Sequence, residues 1–296
     1  MRAALEEVVR ARLRGPVRRA QFRLEPVRRR VQGTLSLEEL RGRLDELGVV
    51  PGATVMVHVS MNDVGNAAPD VNAGALTALL KEMLGPDGTL LVPTFPFSGL
   101  EIDYAREHRS FDRRRTPSKM GLMTEVFRRT PGTYRSLHPT HPVAGWGRHA
   151  EELLADHHQG RNSFDEHSPF WRMREQNGIV LGLGVRLWSG FTVLHSAEAM
   201  HPPAHAYAFD TEPIRMTVTD GERSFDYDLH PLRGGLDRDI RRAERDLHRA
   251  GVIRTIRPAG LRLSVARADE LIAGCIRLMN EGTFYRSGPL ARGGTA

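Results

Sequence analysis

The stretch Leu181-Gly182-Leu183-Gly184-Val185, followed by Gly190-Phe191-Thr192-Val193-Leu194-His195-Ser196-Ala197-Glu198, reads as a short apolar strand that passes through a loop into a helix. Thr192, a small polar residue, stands where the helix begins and suits an N-cap. His195 and Glu198 lie at i and i+3, so both fall on one helical face. An imidazole with a carboxylate nearby, at the end of a buried strand, is a common arrangement for a proton-transfer group.

The pattern repeats outward along the chain. Ser36-Leu37-Glu38-Glu39 is a capping box, which predicts a helix from Leu37 to Leu47 that stops at Gly48. After the Pro51-Gly52 turn, Thr54–Val59 reads as a buried strand; residues 73–84 read as a helix and Thr89–Val92 as a second buried strand. Residues 94–118 are irregular and polar, long enough for a substrate loop. Helices are expected at 121–130, 149–155, 169–175, 192–200, 237–250 and 267–279, with a strand from Ile179 to Val185. Met216–Val218 and Ser224–Tyr227 flank Asp220-Gly221 as a hairpin. Buried strands alternating with helices make a layered α/β fold, and the late hairpin points to a mixed sheet.

The chain of 296 residues is 40% hydrophobic, enough to bury a full core. No apolar run is long enough to span a bilayer, and no signal-peptide core is visible near the N-terminus, so a cytoplasmic location is expected. The single cysteine, Cys275, excludes an internal disulfide and any cysteine-rich zinc site. The net charge of +6 is concentrated in residues 1–33, which hold ten arginines and three glutamates; the rest is nearly neutral. Residues 1–33 are expected to be an Arg-rich appendage. Leu5, Val8, Val9 and Leu13 keep helical spacing there, which allows peripheral contact with an anionic membrane surface. Aromatic interleaving is limited to Phe22, so nucleic-acid binding is not expected. Residues 34–282 are expected to form the folded domain and 283–296 a disordered tail.

Four ordered blocks resemble the aminoglycoside 3-N-acetyltransferase family. They are Val55-Met56-Val57-His58-Val59-Ser60-Met61 with Gly65; Gly85-Pro86-Asp87-Gly88-Thr89-Leu90-Leu91-Val92-Pro93-Thr94-Phe95; Arg135-Ser136-Leu137-His138-Pro139 with Ala144 and Gly147; and Leu181-Gly182-Leu183-Gly184 through Thr192, Leu194, His195, Ala197 and Glu198. The resemblance covers residues 36 to 279. It implies a three-layer α/β/α sandwich with a central mixed sheet, acetyl-CoA or another acyl-CoA as donor, and an amine on an aminoglycoside or related amino sugar as acceptor. It also implies direct transfer without a covalent intermediate. No metal is expected, because neither the His201 and His205 pair nor the His138 and His141 pair has an evident third ligand.

Direct acyl transfer needs a neutral amine, a base to take its proton, and stabilisation of the thioester oxygen as it turns negative. The resemblance makes His195 the general base. Glu198 or Asp228 would be the acid behind it, and Thr192 a hydrogen-bond donor to the acyl group. It places His58 against the acyl thioester or CoA, and makes Ser60, Gly65, Ser136 and His138 further CoA-contact candidates. His141 has no counterpart and reads as ordinary sequence. Glu101, Asp103, Asp165 and Glu166 are the carboxylates available to attract a polycationic acceptor.

The chain also departs from the family pattern. His58-Val59-Ser60 lacks one hydroxyl, and the serine expected after the third block is replaced within His141-Pro142. These changes motivate an alternative, an altered member that binds a nucleotide or glycan without turnover. A metal-dependent hydrolase is a third reading. It suffers because Pro202-Pro203 breaks any helix across the His201 and His205 pair.

Overall fold

Ser36 begins the first helix as the capping box requires. Its Oγ accepts from the Glu39 N–H, and Glu39 Oε2 accepts the Ser36 N–H at 2.7 Å. In the computed structural model, which describes residues 33–292, this helix is α1 (Leu37–Asp45). The expectations for residues 1–32 lie outside the described residues. The other helices are α2 (Met61–Ala67), α3 (Ala73–Leu84), α4 (Glu101–His108), α5 (Leu122–Phe127), α6 (Ala150–Ala155), α7 (Pro169–Arg172), α8 (Leu187–Gly190), α9 (Leu194–Met200), α10 (Pro202–Ala208), α11 (Ile240–Arg249) and α12 (Ala268–Asn280). No helix among the described residues is long and apolar enough to cross a membrane.

The strands are β1 (Thr54–Val59), β2 (Thr89–Pro93), β3 (Ser110–Asp112), β4 (Tyr134–Arg135), β5 (Val143–Gly147), β6 (Ile179–Leu183), β7 (Ile214–Asp220), β8 (Arg223–Leu229), β9 (Arg254–Ile256) and β10 (Leu263–Arg267). Seven of them form the central sheet in the order β4-β5-β2-β1-β6-β10-β9. β1 runs parallel to β2 and β6, whereas β5 and β10 are antiparallel to their neighbours, so the sheet is mixed.

The two-residue period of β1 divides the core. Val55 and Val57 face α1 and α3 through Leu40, Leu44, Leu76 and Leu80. Met56 joins Leu91 and Val180 on the opposite face, against Ala197 of α9, Leu247 of α11 and Leu271 of α12. The result is a three-layer α/β/α sandwich. β1 has β2 on one side and β6, much later in sequence, on the other. This reversal is the kind of point where open α/β sheets leave a crevice beyond their strand ends. The two parallel strands end together there, with the Ser60 N–H donating to the Leu183 carbonyl at 2.8 Å.

Three sequence expectations need correction. The late hairpin does not join the central sheet: β7 and β8 pair with β3 in a separate three-stranded sheet over their own small core of Phe111, Met216, Val218 and Leu229. The supposed loop at 94–118 contains α4 and β3. β3 is held by parallel pairing of Ser110 with Thr217, a partner too distant in sequence for local patterning to reveal. The expected disordered tail is packed as far as it is described. Phe284 and Tyr285 are buried, and Leu290 and Ala291 lie against the core.

Candidate active site

Period-2 alternation places His58 on the Met56 side of the sheet, the side that carries α9. Gly182 is its register partner on β6. A β-carbon on Gly182 would lie 2.4 Å from Cε1 of Phe191, so only glycine lets that ring settle over the strand. Phe191 then stacks on the His58 imidazole with centroids 5.8 Å apart. Gly184 has φ +71°, and a β-carbon there would meet Cβ of Asp63 at 2.5 Å. The two glycines of the strand thus serve close packing and a left-handed turn.

Burial drives the His58 pKa down to about 3, so the ring is neutral. Its Nε2 is buried without a hydrogen-bond partner. His58, expected to meet the donor, lies behind Phe191 and does not line the cleft described below.

His195 lies one turn into the polypeptide that follows Phe191. Its Nδ1 is 2.6 Å from Oε2 of Glu198. Glu198 has no solvent exposure, while the His195 side chain keeps 21%. Burial alone would raise the Glu198 pKa. The charge of Arg238 and the hydrogen bonds from His195 and Arg238 outweigh it and hold the carboxyl at about 2. Arg238 Nε donates to Oε1 at 2.7 Å, and the Tyr285 hydroxyl donates to the same oxygen at 2.5 Å. A carboxylate can only accept, so Nδ1 of His195 carries the proton and Nε2 keeps its lone pair. Burial lowers the His195 pKa, and Glu198 opposes that shift in part. The outcome is a neutral imidazole, fixed in tautomer and orientation by Glu198, on the accessible side of the pair.

That side is a cleft of about 660 Å3, lined among others by Phe95, Phe97, Lys119, Phe191, Thr192, His195 and Arg238. It is walled by aromatic rings and crossed by a few polar groups, the usual character of a small-molecule site. Thr192 faces it but is not the N-cap. α9 begins at Leu194, with Val193 in the cap position and no side-chain cap, and Thr192 Oγ1 instead donates to the Gly190 carbonyl at 3.3 Å. Cys275 is buried, and burial pushes its thiol up to about 12, so it supplies no thiolate at neutral pH.

The other expected site residues scatter. Asp228 is on β8, exposed and paired with Arg215 at 2.8 Å, so Glu198 and not Asp228 backs His195. Ser136 and His138 are fully buried scaffold and not part of the cleft. Ser136 Oγ bonds His157 Nδ1 at 3.0 Å and accepts the Val143 N–H, and His138 Nε2 meets the Tyr227 hydroxyl at 3.0 Å. Beside them Arg135 ties the preceding loop down, donating to the carbonyls of Thr94, Arg113 and Thr116. Ser60 is the N-cap of α2, its Oγ donating to Asp63 at 2.5 Å. Gly65 lies within α2, half-buried with open space above its Cα. His201 caps α10 rather than sharing a helix with His205.

Three residues matter here that sequence reasoning does not reach, Arg238, Tyr285 and His141, and two that it names serve otherwise. Arg238 and Tyr285 meet Glu198 from 40 and 87 residues away, a juxtaposition that no local motif records. His141, ordinary as sequence, places its Nδ1 3.0 Å from the buried Glu101, and its ring packs against Phe95 and Phe97 of the cleft wall. Glu101, expected to attract an acceptor, is instead consumed by His141, Thr140, Ser163 and the Leu232 amide. Asp165 is likewise buried and caps its own loop, accepting from the Arg161, Asn162 and His167 amides.

Residues 56–280 match the aminoglycoside 3-N-acetyltransferase family. Aminoglycoside N(3)-acetyltransferase IV from Salmonella sp is 36% identical over 164 residues, which is 55% of this chain and 58% of that relative's length. The match therefore spans less than two thirds of the relative. A crystal structure of a His-to-Ala variant of aminoglycoside acetyltransferase AAC(3)-IVa, in complex with a gentamicin, superposes with a TM-score of 0.70 at 25% identity, covering 89% of this chain and 95% of that one. The fold is also that of AAC-IIIb in its binary complex with CoASH, with a TM-score of 0.68 at 23% identity over 87% of this chain and 100% of that one.

Proposed function

The chain belongs to the aminoglycoside 3-N-acetyltransferase family, and from that premise we propose that it moves an acetyl group from acetyl-CoA to an amino group of an aminoglycoside or related amino sugar. The observation that carries this reading is the His195–Glu198 pair, buttressed by Arg238 and Tyr285 and opening on the cleft. The neutral amine attacks the thioester carbonyl. His195 Nε2 takes the proton that the nitrogen loses as the C–N bond forms. The C–S bond breaks, and the departing thiolate recovers that proton from the imidazolium. Glu198 stays ionised throughout and stabilises the transient positive ring. Thr192 lines the cleft, and turning its hydroxyl from the Gly190 carbonyl would let it donate to the acyl oxygen; His58, behind Phe191 and outside the cleft lining, backs that wall.

Thiol release from acetyl-CoA, measured across a panel of aminoglycosides and simpler amino sugars, tests the reading. We expect His195→Ala to cut kcat by about 10²- to 10⁴-fold. An unimpaired variant would remove His195 as base. CoA binding with no turnover on any acceptor would favour the non-catalytic alternative.

One observation favours a particular acceptor. The described residues that line the cleft include Lys119 and no carboxylate; Arg238 is paired with Glu198 behind the wall, and Glu101 and Asp165 are committed elsewhere. A polycation is poorly matched to such a lining. An amino sugar with a single amine is the better fit, and it should show a higher kcat/KM than a tri- or tetra-amino aminoglycoside.

A further inference from the structure

A second histidine–carboxylate pair stands behind the wall of the cleft. Glu101, the first residue of α4, is buried, and four donors from three other segments converge on it. Its Oε1 accepts from the Thr140 hydroxyl at 2.5 Å, the Ser163 hydroxyl at 2.6 Å and His141 Nδ1 at 3.0 Å. Its Oε2 accepts the Leu232 N–H at 2.7 Å. Burial alone would raise the Glu101 pKa. The charge and hydrogen bond of His141, with the hydroxyls of Ser163 and Thr140, outweigh it and keep the carboxyl ionised. Each of these buried donors would be left unpaired without Glu101, so the carboxylate ties the segments together.

Every segment that Glu101 gathers contributes to the cleft. Ser98 and Gly99, just before Glu101, line it, and so does Leu236, shortly after Leu232. Phe164, next to Ser163, packs on the His195 ring with centroids 5.1 Å apart. His141 meets Phe95 edge-on at 4.4 Å and Phe97 at 5.2 Å. These two rings line the cleft nearly parallel to each other, 15° from coplanar and 6.1 Å apart. A phenyl ring has no hydrogen bond to fix it and takes its place from its neighbours. His141 touches both rings, and its own place is fixed by Glu101.

The wall so built faces one substrate more than the other. Thr192, which can receive the acyl oxygen, lies in the connection after β6, as does Phe191. Phe95 and Phe97 follow β2, on the other side of β1. The Phe95–Phe97 wall is therefore left to the acceptor. No carboxylate lines the cleft among the described residues, so the acceptor is held by something other than ion pairing. The C–H groups on one face of a pyranose ring carry slight positive charge and match the negative faces of aromatic rings.

We propose that Phe95 and Phe97 form a subsite for the apolar face of the acceptor's sugar ring, and that His141, anchored by Glu101, is the positioning residue that sets their spacing. This assignment rests on the amino-sugar reading above. It makes His141 a determinant of acceptor KM and not of proton transfer.

A double-mutant cycle on the full chain, with methyl glucosaminide as acceptor, tests it. His141→Phe keeps an aromatic ring and removes the bond to Glu101; Phe97→Leu removes a ring that His141 positions. Each should raise the acceptor KM about tenfold, while kcat and the KM for acetyl-CoA change less than about threefold. The double variant should be no worse than Phe97→Leu, because His141 acts through that ring. A purely structural role predicts instead that His141→Phe lowers kcat, raises both KM values and adds to Phe97→Leu. That result, or an unchanged acceptor KM, overturns the proposal. Saturation-transfer NMR with methyl glucosaminide reads the subsite without turnover. Transfer to the sugar ring protons that Phe97→Leu abolishes, in a protein with no acetyltransferase activity, keeps the subsite and overturns only the enzymatic reading. No saturation transfer in the wild type overturns the subsite. Should His141→Phe not fold, His141→Asn takes its place in the cycle under the same criteria.

Discussion

Glu198 is held by three donors on two oxygens, and that saturation sets how His195 behaves. The His195 pKa lies below 6.5, with burial the largest cause. With His195 as the proposed base, the acid limb of kcat/KM should have its midpoint below pH 6.5, because a base works only when neutral. In Glu198→Gln the carboxylate that favours the charged ring is gone. The limb should shift further toward acid, and kcat should fall about a hundredfold as the tautomer is no longer fixed. A pH–rate profile of both proteins checks this; an acid limb that shifts upward would refute the arrangement. Glu198 also links stability to pH. Its folded pKa of about 2 lies below the unfolded 4.5, so its contribution is complete above pH 4.5 and is lost as the pH falls toward 2. The amount is about 3 kcal/mol at neutral pH. At this scale the sequence is half legible. The i, i+3 spacing brings His195 and Glu198 together, but Arg238 and Tyr285 arrive by tertiary packing, and Asp228 stands out in the sequence only by its place after a hairpin.

The strand β6 and the loop after it work as a fitted pair. Gly182→Ala should force Phe191 off the strand and off His58, since the added carbon would lie 2.4 Å from the ring. Overpacking of this kind costs about 1–3 kcal/mol. We expect a lowered urea midpoint together with a raised KM for acetyl-CoA, because Phe191 lines the cleft; denaturation and initial-rate measurements read the two effects separately. The elements that the sequence makes plain are those with strong local signals: the apolar runs of β1, β2 and β6, the capping box of α1, and the apolar period of α3. The elements it hides are short and depend on distant partners. β3 has three residues and exists only because β7 lies beside it.

Across the whole molecule, the segment after α12 decides whether the site is complete. Phe284 and Tyr285 are buried, and Tyr285 supports Glu198. Truncation after Gly282 should cost at least about 3 kcal/mol from lost aromatic burial. It should also lower kcat more than Tyr285→Phe does, since Tyr285→Phe keeps the packing and removes only the hydroxyl. Thermal unfolding and turnover of both variants test this; a fully active truncation would contradict it. The layered fold is legible from the alternation of strands and helices. The role of the last segment is not, because its few apolar residues carry no periodic pattern. The buttress from Tyr285 to Glu198 also imposes an order in time. On the ribosome, His195 and Glu198 emerge well before the hydroxyl that helps hold Glu198, which follows 87 residues after it. A nascent chain can therefore complete its central sheet and pair His195 with Glu198 first, and Glu198 gains its third donor only when the segment carrying Tyr285 docks.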